Sequence, residues 1–508
     1  MITEAGKSSA AMKLLTLLLL LALPAVAQNQ FTFTTNNGAI TIIGITYIAV
    51  NGVVAIPSET NGYPVTSIGT NAFYDLTILT SVTIPNSVSN IEDSAFGQCT
   101  SLKNVTFGSG LTNIGNSAFE GCFSLTNAPI PGSVTTIGMS AFEFCSSLTK
   151  ITIGSIATNI GEQAFAYCTG LTNITVNPAN ESYSSLSGVM FDKSQTTLLQ
   201  YPGGKDGSYT ISNNVTTIGD YAFADCSSLT GITIPDNITN IGIGSFSGCS
   251  RLTGVAISGT VASIGVGAFG FCSSLMSITV NATNAFYSNE AGVLFDKSQT
   301  TLLQYPCGKV GSYAISNSVT SIELGSFASC SGLTNVTIPD SVTSIGGLAF
   351  QGCTSLTNLT IGSGLTSIGL YAFSFCTSLT GVYFQGNSPT PSDDLTVFSD
   401  DNTGTVYYLA GTTGWGTLFD GWPTTLLAAN IAPFAISGGS FNIQPNEFSF
   451  TITSISISNQ DVVVQGCTNL ANPVWIPLAT NSLTIGTNYF SDSEWTNYPK
   501  RFYRISSP

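Results

Sequence analysis

The amino-acid sequence predicts a mostly β chain: a solenoid of short strands joined by 3₁₀ or helical turns, followed by a small antiparallel β-domain. Three observations predict it. The pair Ala-Phe or Ser-Phe returns with its Phe at 73, 96, 119, 142, 165, 223, 246, 269, 327, 350 and 373, a step of 23 residues interrupted twice by a step of 58. A fixed period of this size marks stacked units that bury a core only together. The two long steps hold near copies, "GVMFDKSQTTLLQYPGGKDGSYTIS" and "GVLFDKSQTTLLQYPCGKVGSYAIS", placed 104 residues apart, so a block of the array is duplicated. After residue 427 the composition changes, and alternating or apolar segments separated by Asn, Gly and Pro begin.

From the N-terminus, Lys13 precedes the apolar run Leu14 to Leu23, and Pro24-Ala25-Val26-Ala27 offers small residues at the spacing of an export-signal cleavage site. Residues 1–27 are expected to be removed, with Met1 and Met12 both open as starts. The run is short of the ~18 apolar residues that would span a membrane, and no later stretch reaches that length. Residues 28–70 are expected to form an N-terminal cap.

The unit Cys226 to Gly248, C-S-S-L-T-G-I-T-I-P-D-N-I-T-N-I-G-I-G-S-F-S-G, is legible physically. Leu229, Ile232 and Ile234 have the spacing that turns them to one side of a short strand, leaving Thr230, Gly231 and Thr233 outward. Pro235-Asp236-Asn237 turns the chain, Ile238 and Ile241 begin the return side, and Gly242 permits a bend before Ser245-Phe246. The next unit starts at Cys249. Such units span 71–385, with insertions at about 177–216 and 281–320. Residues 428–440 read as a linker. Beyond it, "FSFTITSI", "DVVVQG", "VWIPLAT" and "RFYRISS" read as strands of a β-domain spanning 441–508.

Composition excludes several jobs. The first 27 residues carry Glu4, Lys7 and Lys13; without them the chain keeps 26 acidic and 10 basic residues, a net charge of −16, and it has no histidine. A basic patch for nucleic acid is not available from so few cations. A Ser-His-Asp triad, histidine general acid/base catalysis and a His-ligated metal all need a residue that is missing. Only 8% of residues are charged, so the surface is rich in hydroxyls and amides.

With these units quoted, the sequence resembles the BspA-like leucine-rich repeats, bacterial surface proteins with units of the form xxAFxxCxxLxxIxIPxSVxxIG, over roughly residues 50–385. The resemblance implies a right-handed leucine-rich repeat solenoid, a secreted or cell-surface location, and protein binding or adhesion without catalysis. It further implies that the two insertions are hairpins and that "GTVYYLAGTTGWGTLFDGWP" belongs to a C-terminal cap, residues 386–427. The tail from Cys467 resembles C-terminal modules of exported bacterial proteins. Its role is open between envelope attachment and a folding cap, and Lys500, Arg501 and Arg504 hint at contact with an acidic component.

Ten cysteines (99, 122, 145, 168, 226, 249, 272, 330, 353 and 376) stand three residues after a repeat Phe. Because each unit puts its thiol at one lattice position, they are expected to be buried, reduced and small enough to fill the coil corner. Cys307 and Cys467 break the lattice; Cys307 stands where the first copy has Gly203, and a bridge between the two is open if the C-terminal module folds back. Gly265-Val266-Gly267-Ala268-Phe269-Gly270 fits the dinucleotide fingerprint, but its glycines belong to the coil bend and no strand-helix-strand unit surrounds them. No cofactor or metal is expected. The acidic loop from Asp393-Asp394 to Asp400-Asp401 lacks the spacing of a calcium loop.

What remains as a candidate binding surface is the outward side of the strands. One column holds Thr106, Thr152, Thr175, Thr233, Thr279, Thr337 and Thr360 with Tyr383, and the other holds Asn127, Asn173, Asn335 and Asn358. Thr is also simply a good former of exposed strands, and cross-strand Thr pairs hold register. The hairpin tyrosines Tyr183, Tyr201, Tyr287 and Tyr305 are candidates to join them. The expected partner is an extracellular protein or surface ligand of unknown identity, with polysaccharide as the alternative; repetition favours a ligand that many weak contacts hold together.

Overall fold

The computed structural model describes residues 30–48, 50–390, 396–399, 404–427, 442–444, 447–454, 460–468, 476–483, 486–492 and 502–506. The expected signal segment, the linker, and Asp393, Asp394, Asp400 and Asp401 of the acidic loop lie outside the described residues. All but one of the regular coils contribute a short strand to a first side of parallel pairs, the first ladder, exemplified by Asn335↔Asn358 and Thr337↔Thr360. The coils contribute two-residue strands to a second ladder, exemplified by Asn90–Ile91, Asn113–Ile114, Thr136–Ile137 and Asn159–Ile160.

Between the ladders lies the core. The repeat phenylalanines are at most 2% exposed and stack ring on ring, 4.9 Å from Phe73 to Phe96, then 5.1, 5.2 and 5.9 Å to Phe119, Phe142 and Phe165. A period of 23 brings identical side chains to neighbouring coils, and rings repeated at strand spacing lie nearly parallel. Burial of each contributes about 1.5–3 kcal/mol.

The segment around each Phe takes the form of overlapping four-residue turns, and among the described residues no helix forms. In one coil Ala95 N–H donates to Glu92 O, Gly97 N–H to Ser94 O and Cys99 N–H to Phe96 O, while the alternate N–H groups of Ser94, Phe96 and Gln98 donate to Asn116, Ala118 and Glu120 of the next coil. Half the donors therefore leave the coil, which an α- or 3₁₀-helix does not permit. The alternation is made by residues of left-handed φ two before and two after every repeat Phe, as at Ser94 (53°) and Gln98 (59°), and at Leu348 (56°) and Gly352 (71°). Glycine stands at only six of these positions, 121, 244, 248, 267, 325 and 352, and bulky residues such as Phe144, Tyr167 and Leu348 at others, so this feature was not readable.

The array is closed at its start by the antiparallel pair Phe31–Asn36 and Ala39–Ile45, joined through Asn37-Gly38 with both φ positive, the conformation that favours Asn-Gly in a two-residue hairpin loop. The insertions are more than hairpins. Strands Tyr183–Leu186, Val189–Asp192 and Thr197–Gln200 pair antiparallel, but Thr197–Gln200 also joins the second ladder and Gly207–Thr210 joins the first. The inserted chain thus supplies an irregular coil of its own, with Tyr201 standing 4.9 Å from Phe223 in place of the missing Phe. The copy repeats this with Tyr305 and Phe327. Ring stacking continues past Phe373 onto Phe398 and then Trp422.

Beyond the array, Asn442–Gln444, Glu447–Ser454 and Gly486–Asp492 form one antiparallel sheet, and Ile476–Leu483, Gln460–Cys467 and Phe502–Ser506 form another. The antiparallel C-terminal β-structure was expected; the strand Gly486–Asp492 was not, because its polar residues hide the alternation.

The cysteine ladder differs from expectation in one place. Cys330 is bonded to Cys307, so it is not a reduced thiol, and the alternative bridge from Cys307 to Cys467 is excluded. The irregular coil carries Cys307 to the position one period before Cys330, which the sequence hid because Cys307 follows no Phe. The other ladder thiols are buried, and they do more than fill a corner: Cys99, Cys122, Cys145 and Cys168 each donate to the carbonyl of the repeat Phe one coil back, at 3.0–3.2 Å.

Candidate binding surface

The predicted columns lie on the outward side of the first ladder, where alternate residues point away from the core. Asn335 and Thr337 flank buried Val336, and Asn358 and Thr360 flank buried Leu359. Thr106 pairs with Thr83, Thr152 with Thr175, Thr233 with Thr210, and Thr279 with Ala256. The structure does not join them into one column. Pro129 occupies the position one period after Thr106, and having no N–H it reduces its coil to a single bridge between Asn104 and Asn127. The insertions break the row twice more, and Leu229–Thr233 and Gly254–Ile257, with no insertion between them, are not paired either.

The last stretch is continuous. Strands Gly311–Ala314, Leu333–Ile338, Asn358–Ile361, Gly381–Phe384, Thr405–Leu409 and Trp422–Leu427 are paired in one parallel run. Its register aligns Ala314, Thr337, Thr360, Tyr383, Tyr407 and Thr425, and beside them Ser312, Asn335, Asn358, Gly381 and Thr405. Asn358 Nδ2 donates to Asn335 Oδ1 and Asn335 Nδ2 to Ser312 Oγ, both at 3.1 Å. Farther up, Asn173 Nδ2 donates to Thr175 Oγ1 at 2.8 Å. These amides are held in fixed orientation by their neighbours, as a rigid polar face requires.

Tyr407 is the residue that the sequence reading missed. Its ring lies 4.9 Å from that of Tyr383 with an interplanar angle of 11°, and burial together with the neighbouring Tyr407 pushes the Tyr383 hydroxyl above its ordinary pKa. A Cβ on Gly381 would stand 3.2 Å from Tyr407 Cε2 and 3.4 Å from Tyr383 Cε2, so the two rings lean across the strand over a glycine. The signal was present as "GVYF" followed by "TVYY", but the intervening chain shifts the step off 23.

The hairpin tyrosines are not part of this face. Tyr201 and Tyr305 are 0% and 3% exposed, because they continue the ring column. The hydroxyls of Tyr183 and Tyr287 accept the N–H groups of Ile160 and Ile264 at 2.9 and 2.8 Å. Each satisfies the end of a second-ladder strand that the insertion deprives of a neighbour. Another stacked pair, Phe144 and Tyr167 at 4.6 Å, stands on the turn side, where burial chiefly pushes the Tyr167 hydroxyl up to about 12. Among the described residues no group of three His, Cys, Asp or Glu converges as metal ligands, and no helix is long and apolar enough to cross a membrane.

Comparison with known proteins places this geometry. A model of the BspA type leucine rich repeat region matches residues 66–197, 207–291 and 301–402 in six copies. Among solved structures, a leucine rich cell surface protein from Faecalibacterium prausnitzii is 28% identical over 75% of this chain and 94% of its own, with a TM-score of 0.39. A leucine-rich repeat protein from Bacteroides ovatus is 26% identical over 70% and 93%, with a TM-score of 0.39. One from Eubacterium ventriosum is 23% identical over 76% and 94%, with a TM-score of 0.46. No curated protein matches the chain.

Proposed function

The chain belongs to the BspA-type leucine-rich repeat family, and on that premise we propose that it is an exported, non-enzymatic scaffold that binds a protein or adheres at the cell surface through the outward face of its last continuous ladder. The observation that carries this reading is the face itself: aligned Thr and Asn side chains on paired strands, with Asn335 and Asn358 fixed by their hydrogen bonds. A flat polar face held rigid by a stacked core loses little side-chain entropy on contact, which is what favours a broad macromolecular partner over a small molecule. Export rests on the apolar run behind Lys13 and the small residues ending at Ala27. A non-catalytic role rests on the absence of histidine and on the neutral face.

Polysaccharide is the second reading, and the Tyr383–Tyr407 pair is what favours it, since an apolar ring face bordered by amides and hydroxyls suits a sugar as well as a peptide. Binding of the full chain to arrays of extracellular proteins and polysaccharides decides between them. A protein hit weakened by Thr337→Lys and Thr360→Lys supports the scaffold reading. A polysaccharide hit abolished by Tyr407→Ala replaces it with the glycan reading.

A further inference from the structure

Where each insertion enters, the ring column and the second ladder are both interrupted, and each interruption leaves a cleft. The first, of about 260 Å³, has Phe165, Met190 and Leu199 at its base and Glu162, Asp220 and Gln200 around it. The second, of about 100 Å³, has Phe269, Leu294 and Leu303 at its base, with Gln304 and Glu323 beside them. Phe165, Met190, Leu199 and Gln200 correspond one for one, 104 residues on, to Phe269, Leu294, Leu303 and Gln304. The chain therefore carries the apolar part of this depression twice, while the carboxylates differ: Val266 and Leu324 stand where the first copy has Glu162 and Asp220, and Glu323 stands where it has Gly219.

The chemistry of both is one-signed. No Lys or Arg lines either cleft, whereas each has at least one carboxylate. The glutamines are 7% and 3% exposed. Gln200 Nε2 donates to the carbonyls of Tyr201 and Ala222 at 3.0 and 3.4 Å, and Gln304 Nε2 to those of Tyr305 and Ser326 at 3.1 and 3.0 Å. Those bonds fix the amide orientation. They leave Oε1 of each glutamine as an acceptor that no described side chain or backbone group fills, at the wall of a cleft. An apolar base with an open amide acceptor and a carboxylate suits a side chain whose body is methylene and whose tip is a cation.

We propose that the two clefts together receive two lysine or arginine side chains of one extended basic peptide segment. On the side of the second ladder six strands, from Tyr183–Leu186 to Ser263–Ile264, lie between equivalent points of the two clefts, about 29 Å at ~4.8 Å each, and an extended chain rising ~3.3 Å per residue covers that in about nine residues. The expected ligand thus has basic residues at positions i and i+9, and the strong negative charge of this chain draws it in. The inference extends the protein-binding reading to a second surface that shares no residue with the strand face.

Fluorescence anisotropy of the full chain with labelled Lys-Ser-Gly-Ser-Gly-Ser-Gly-Ser-Gly-Lys tests it, beside the same peptide carrying one lysine and the same peptide with both lysines replaced by norleucine. The two-lysine peptide is expected to bind at least tenfold more tightly than the one-lysine peptide, and the norleucine peptide not at all. Glu323→Gln should reduce the two-lysine affinity to the one-lysine level. The pair Glu162→Gln and Asp220→Asn should do the same; Asn at 220 keeps an oxygen for the Ile243 N–H that Asp220 accepts at 2.7 Å, so folding is not at stake. Equal binding of the norleucine peptide, no binding of the two-lysine peptide, or indifference to both sets of variants overturns the proposal. Tyr407→Ala should leave this binding unchanged, so failure here and failure of the strand-face reading are separately visible.

Discussion

Tyr407 lies against Tyr383 with ring centroids 4.9 Å apart, and Gly381 is the residue that lets the pair lean across the strand. A Cβ there would come within 3.2 Å of one ring and 3.4 Å of the other, so a branched side chain must push them apart. Gly381→Val is expected to reduce the near-ultraviolet circular dichroism of the stacked tyrosines while leaving the far-ultraviolet spectrum unchanged. An unaltered near-ultraviolet spectrum would mean that the rings do not depend on the glycine.

The Cys307–Cys330 bond closes one coil, a loop of 23 residues. Constraining a loop of that size in the unfolded chain stabilises by about 3 kcal/mol in the chain-entropy model. Reductant should therefore lower the denaturant midpoint of the native protein and leave that of Cys307→Ala where it is. The variant should still fold, since the first copy of the block has Gly203 at this position and Cys226 there remains a thiol. A reductant effect of equal size in both proteins rules the bond out as its source.

Burial pushes the thiols of Cys99 and Cys168 up to about 12, and it raises those of Cys122, Cys145, Cys249 and Cys272 as well. An unfolded thiol loses its proton near pH 8.5. Above that pH the unfolded state binds fewer protons than the folded one, so stability falls as pH rises. The contribution is complete below about pH 8.5 and is lost between there and about 12, at up to about 1.4 kcal/mol per pH unit for each thiol. Denaturant midpoints at pH 7, 9 and 10.5 should decline progressively, with a shallower decline in Cys145→Ala. A flat profile to pH 10.5 would show that the ladder thiols are not buried as described.

Period and polarity were enough to place the strands, the buried Phe column, the thiol ladder and the outward Thr and Asn positions, because a 23-residue repeat writes each environment many times. What happens once or twice was not legible. Cys307 reaches the ladder only because the inserted chain forms an irregular coil, and Tyr407 reaches the Thr column only because the cap pairs as another strand. Both depend on how a non-repeating loop folds back, which no local spacing records. Pro129 was visible as a residue, but its effect on the Thr column becomes apparent only when neighbouring coils are set side by side.

Tyr183 and Tyr287 show how the array tolerates its interruptions. Each hydroxyl accepts an N–H from a strand end that has lost its neighbour, and a half-buried amide left without an acceptor costs about 1–3 kcal/mol. Tyr287→Phe removes only that oxygen. It is expected to lower stability by about 1 kcal/mol and to accelerate hydrogen exchange at Ile264 severalfold, with exchange at Ile241, whose strand keeps its partners on both sides, unchanged. Equal acceleration at both sites would point to a general loosening of the coil and away from the capping role.

Phe246 is the severest test of the ring column. It is fully buried, with Phe223 at 4.8 Å on one side and Phe269 at 5.5 Å on the other, and its carbonyl accepts the thiol of Cys272 at 3.1 Å. Phe246→Ala removes the ring but keeps the backbone, so the thiol bond survives and the loss reports packing alone. Neighbouring coils are tied by the second ladder and cannot close the gap, which places the cost at the upper part of the usual range, about 3 to 5 kcal/mol. Because a stacked array loses stability locally, the measurement is hydrogen exchange along the chain: protection should fall most in residues 223–272 and progressively less in coils farther away. Uniform loss along the whole array would mean that it unfolds as one cooperative unit, and no loss would remove Phe246 from the core.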